Sequence, residues 1–163
     1  MTEASQNNFT PKEQRLLAVL PRIAATISFL SALKIVVTVL RNRQYRSRVY
    51  HRLMLGTALN VMVLNISHLW GTAAVPAGTP GVYGAKGTTA TCSAQGFLNQ
   101  LGYVVPSYYC ALSLYSFVAV RNNFVGNYIW FERCIHIGFQ FSPFASGIYL
   151  LMIESFTYHG PLC

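Results

Sequence analysis

The 163-residue chain contains no aspartate and only four acidic residues, against twelve lysines and arginines. Charged residues make up a tenth of the whole, where a soluble domain carries about a quarter. So little charge cannot cover a water-facing surface of this size. The carboxylate pairs that acid–base catalysis needs are scarce for the same reason. The four histidines, at 51, 68, 136 and 159, lie too far apart for zinc-ligand spacing. No nucleophile elbow and no phosphate loop is found, so neither enzyme chemistry nor a metal or other cofactor is expected. Period-2 alternation, the mark of a half-buried strand, is also missing. The polar opening "MTEASQNNFT" has no apolar core, so a cleavable signal peptide is not expected.

What the chain does have is apolar length. More than half of it is hydrophobic, gathered into four segments of about 20 residues or more, as a hydrocarbon core roughly 30 Å thick requires. They run from about Leu16 to Leu40, Leu53 to Ala74, Cys92 to Val120 and Ile135 to Ile153. Helices are the economical form where lipid cannot hydrogen-bond the backbone, and the expected fold is an all-α integral membrane bundle. Arg22 and Lys34 stand near the two ends of the first segment, where long side chains can snorkel to the headgroups. Pro21, Pro106 and Pro143 fall inside segments and are expected to kink them without breaking them. Cys110 and Cys134 are expected to be small buried hydrophobes, and His68 an interfacial group beside Trp70.

Charge orients the bundle. Five of the twelve basic residues, Arg41, Arg43, Arg46, Arg48 and Arg52, share one short loop, while the stretch from Gly71 to Thr91 holds only Lys86. One basic cluster between two apolar segments is a membrane-flanking loop, not a groove for nucleic acid, and the positive-inside rule makes it cytoplasmic. The N-terminus is then outside. There Asn8-Phe9-Thr10 forms a glycosylation sequon, although the same pattern at Asn65 lies within a membrane segment. In the third segment Gln95, Asn99, Gly102, Pro106, Tyr109, Ser113 and Ser116 recur at spacings of four and three, along one helix face. Such a stripe faces inward in lipid, either as interhelical contacts or, at its outer end, with Gln95 and Asn99 lining a ligand cavity.

The segments "VYGAKGTTATCSAQGFLNQLG" and "CALSLYSFVAVR" resemble the third-helix region of heptahelical receptors of the cyclic-AMP-receptor-like branch, as found in protists and algae. "VYHRLMLGTALN" is similar to the start of their second helix and "FERCIHIG", with Glu132 and His136 four apart, to the start of their fourth. The resemblance spans roughly residues 15 to 163, after an outer tail of residues 1–14, and keeps the order of the first four helices. It implies a cell-surface, plasma-membrane receptor portion that senses an extracellular ligand and, in full-length form, couples to a heterotrimeric G protein. The sequence departs from the family pattern at Asn60 and Asn65, where an acidic residue is common in the second helix, and at Arg121, which has no acid before it. The topology places Cys92 and Cys163 both on the outer side, and the resemblance implies a disulfide between them that ties the second outer loop across the third helix. A free or intermolecular Cys163 is the alternative. The competing reading of the whole chain is a self-contained four-helix membrane protein acting by lateral association.

Overall fold

The computed structural model describes residues 10–80, 82–122 and 128–152. All regular elements among them are helical: α1 (Pro11–Arg41), α2 (Arg43–Arg46), α3 (Val49–Trp70) continued by a 3-10 turn (Gly71–Ala74), α4 (Thr89–Gly102), α5 (Val105–Arg121) and α6 (Ile129–Met152). Four helical stretches, with α4 and α5 counted as one, are long and apolar enough to cross a membrane.

Helix α1 starts where "TPKE" dictates. Thr10 caps it, its hydroxyl accepting from the Glu13 N–H at 3.4 Å, while the Glu13 carboxylate accepts from the Thr10 N–H at 2.7 Å, and Pro11 fills the first helical position. The helix therefore begins inside the tail expected for residues 1–14. Its buried positions are Ala18, Ala25, Ala32, Val36 and Val39, a narrow seam of small or slender side chains that lets α1 lie close along α3. Large apolar side chains, among them Leu16, Leu20, Ile23, Ile27 and Leu30, point away from the bundle. Small residues within and bulky ones outside is the arrangement that suits lipid as the outer solvent.

Helix α3 is the hub, packing against α1, α4 and α5, and α6 leans mainly on α4. The crossings are close because glycine sits at them: a Cβ on Gly102 would lie 2.5 Å from Leu64 Cδ1, and one on Gly147 2.9 Å from the Phe97 ring. Polar side chains bind the same seams. Asn65 donates to Ser28 Oγ at 2.9 Å between α3 and α1, and Gln100 donates to Ser146 Oγ at 2.9 Å between α4 and α6.

Pro21 and Pro143 lie within unbroken helices. Pro106 does not match the expected kink, because the third span is interrupted at Tyr103–Val104, with Pro106 in the first turn of the new helix. Proline has no N–H to return to the Gly102 carbonyl, and the chain tightens into a three-residue turn in which the Tyr103 N–H donates to Gln100 O at 3.2 Å. Two helices also extend beyond their apolar runs. The second and fourth spans begin at Val49 and Ile129, several residues before Leu53 and Ile135. Arg52, expected in the loop, lies in the first turns of α3.

Candidate functional site

The starts of these two helices meet at one buried carboxylate. Glu132, in the first turn of α6, is 7% exposed. Arg52 of α3 grips it in a bidentate fork, Nε to Oε1 and Nη2 to Oε2, both at 2.5 Å. The remaining guanidinium nitrogen, Nη1, donates to the carbonyls of Arg46 and Ser47 at 3.0 Å each, so α2 and the loop after it are held by the same side chain. One turn on, His136 brings Nε2 to 3.9 Å from Glu132 Oε1. Its other nitrogen, Nδ1, is 2.8 Å from the hydroxyl of Tyr108, a fully buried residue of α5. Gly56 of α3 makes room for this chain of groups: a Cβ there would sit 2.8 Å from His136 Cε1 and 3.0 Å from Tyr108 Cε1.

Arg52, Glu132, His136 and Tyr108 thus form one polar relay across α3, α6 and α5. Hydrogen bonds join Arg52 to Glu132 and Tyr108 to His136, with 3.9 Å between Glu132 and His136, and separating these groups would part three helices at once. Among the described residues no group of three or more His, Cys, Asp or Glu side chains could hold a metal ion.

The opposite end of the bundle has its own polar anchor. Arg22 does not reach for the headgroups as a snorkelling residue would. Its Nη2 donates to Trp70 O at 3.1 Å and to Thr72 Oγ1 at 3.3 Å, capping the carbonyl end of α3, where the helix dipole is negative. Gly71, at φ 48°, turns the chain beneath it, and a Cβ there would meet Arg22 Nε at 2.9 Å. Lys34, by contrast, is exposed.

The expected stripe divides at the break before Pro106. Gln95 is fully buried and closes a helix end: Nε2 donates to the carbonyls of Ser67 at 2.8 Å and Gly71 at 3.1 Å, and Ser67 Oγ returns a bond to Gln95 O at 3.3 Å. Asn99 is half-buried and Gly102 buried. Beyond the break the inward face passes to Tyr108, Ala111 and Ala119, while Tyr109 and Ser113 are exposed and Ser116 half-exposed. A three-residue turn rotates the chain by about 20° more per residue than an α-helix does, which brings earlier residues to the inside. Cys110 and Cys134, expected to be buried, are both free and exposed. His68 is half-buried, with Nδ1 enclosed and unpartnered.

The displaced stripe still has a place. Tyr109, Ser113 and Ser116 line a groove of about 610 Å³ with Ser28 and Ser31 of α1 and Thr57 of α3. The hydroxyls of Ser31, Thr57, Ser113 and Ser116 each donate to the carbonyl four residues back, at 2.8 to 3.0 Å, which leaves their oxygens able to accept from a partner across the groove. Of the five loop arginines Arg52 is in an ion pair, whereas Arg41, Arg43, Arg46 and Arg48 are exposed. Cys92 is buried at the start of α4, and its expected partner Cys163 lies outside the described residues, as does Asn8. Comparison with protein-family models, with curated proteins and with solved structures finds no match to this chain.

Proposed function

We propose that residues 1–163 are the first four helices of a heptahelical receptor of the cyclic-AMP-receptor-like branch, placed in the plasma membrane with the N-terminus outside, sensing an extracellular ligand and coupling in full-length form to a heterotrimeric G protein. The observation that carries the reading is the groove between α1, α3 and α5. It gathers seven hydroxyl-bearing side chains on one open side of the bundle, and lipid tails offer them no hydrogen bonds. Further helices laid against that side would cover them, as a larger bundle requires. The relay from Arg52 to Tyr108 supplies the kind of element a receptor needs, because a ligand that alters helix packing must bias two discrete arrangements.

Nucleotide exchange on purified heterotrimeric G protein tests the proposal. Membranes carrying residues 1–163 alone are expected to give no exchange, and membranes carrying the same residues joined to three further apolar spans encoded downstream are expected to give it. Exchange with residues 1–163 alone would overturn the reading. The self-contained alternative fills the groove with a second copy, so a Ser113→Cys variant that forms disulfide-linked homodimers in native membranes would favour lateral association.

A further inference from the structure

We propose that the arginine-rich end of the bundle binds the anionic headgroup of a membrane phospholipid, in the cleft between the start of α3, the end of α5 and the start of α6. The site requires only that the helices span a bilayer and does not depend on the receptor reading.

The cleft has a volume of about 1010 Å³, and Arg48, His51, Arg52 and Tyr128 are among the residues that line it. Two polar atoms of residues that line it, His51 Nδ1 and the Tyr128 hydroxyl oxygen, are buried without a hydrogen-bond partner. Buried polar groups are nearly always paired, so two orphans borne by residues of one cleft call for an occupant that pairs them. Neither can easily turn away. The His51 ring is stacked on Tyr45 at 4.5 Å and 4°, with Tyr50 edge-on at 5.6 Å, and the Tyr128 ring meets Tyr115 edge-on at 5.4 Å.

Charge decides what the occupant is. Of the two guanidinium groups in the cleft, Arg52 is saturated by Glu132 and two carbonyls. That pairing also neutralises Glu132, the one carboxylate among the described residues after Glu13. Arg48 has no side-chain partner among the described residues, and Arg41, Arg43 and Arg46 stand exposed in the same turn of chain. A positive field, an unpaired guanidinium and a phenol able to donate all call for anionic oxygens, while Val49, Val120 and Ile129 on the walls suit the glycerol and first methylenes of a lipid. In the occupied site His51 carries its hydrogen on Nδ1, so that it donates as the other two groups do.

Native mass spectrometry of the detergent-solubilised protein tests this, with phosphatidylinositol bisphosphate as the probe and phosphatidylcholine and soluble inositol trisphosphate as comparisons. The anionic lipid is expected to be retained one to one and phosphatidylcholine not. Arg48→Ala and Tyr128→Phe should each weaken retention about tenfold, the loss of one charge-assisted bond, and Arg43→Ala, outside the cleft, by less than about twofold. Equal losses from Arg43→Ala and Arg48→Ala would reduce the effect to diffuse surface attraction and overturn the site. Equally tight binding of inositol trisphosphate would make the occupant a free phosphate compound and overturn the lipid assignment. Tyr128→Phe also keeps the test independent of folding, because without lipid it removes an unpaired hydroxyl and should unfold at the same temperature as the parent chain or higher. A lower unfolding temperature would show that the hydroxyl already had a partner.

Discussion

Glu132 and Arg52 are bound so closely that neither is well placed without the other. Arg52→Ala would leave a carboxylate buried and uncompensated, and since Arg52 keeps 31% of its side chain exposed the cost should fall near the lower end of the buried-pair range, about 3 kcal/mol. Thermal unfolding in detergent checks it. The double variant Arg52→Ala/Glu132→Gln is expected to recover part of the loss, and a double variant no more stable than Arg52→Ala would mean that the buried carboxylate is not what makes the single change costly. Gly56→Ala should cost about 1 to 3 kcal/mol, as overpacking does, by driving the His136 and Tyr108 rings off their positions. The components of this relay were only partly legible in the sequence. Glu132 and His136 stand out through their spacing and the scarcity of acid, and Arg52 through its cluster. Their union is not legible, because Arg52 and Glu132 are 80 residues apart and nothing local distinguishes one loop arginine from its four neighbours. Tyr108 falls one residue off the polar stripe and gives no signal at all.

At the scale of the helix, the same break that hides Tyr108 is open to experiment. Pro106→Ala restores an N–H able to bond the Gly102 carbonyl and should let α4 and α5 run as one helix, turning α5 so that Ser113 moves toward the interior. Alkylation of a Ser113→Cys probe in membranes is then expected to slow in the Pro106→Ala background, and an unchanged rate would show that proline does not set the phase. Periodicity read from sequence assumes one constant pitch, which is why the stripe holds from Gln95 to Gly102 and fails beyond it. Helices α3 and α6 reach beyond their apolar runs for a related reason. Charge normally marks where a span stops, but Arg52 and Glu132 neutralise each other and allow both helices to continue past their charged residues. Orientation rests on the arginines left over. Neutral replacement of Arg43, Arg46 and Arg48 should give a mixture of orientations, seen as partial protease protection of an N-terminal tag that is otherwise fully reachable on intact cells.

For the molecule as a whole, composition and run length were enough to read an all-α bundle with four helices able to span a membrane, since lipid imposes one backbone solution on any long apolar segment. How the helices pack was not readable in the same way, because it depends on pairs such as Gly102 with Leu64 that meet only after folding. One long-range tie is still open to direct measurement. Peptide mapping of the unreduced protein is expected to yield a linked fragment joining Cys92 and Cys163, and free alkylation of both thiols on intact cells would rule the bond out. The clasp of Arg22 on the end of α3 bears on how the bundle comes into being. Its acceptors, Trp70 O and Thr72 Oγ1, lie 48 and 50 residues further along the chain. At a synthesis rate of about 5 to 20 residues per second, Arg22 leaves the ribosome some 2 to 10 s before the carbonyl that will receive its guanidinium does. During that interval the charge has only headgroup phosphate and water to hold it, so α1 is expected to reach its final depth only when α3 arrives.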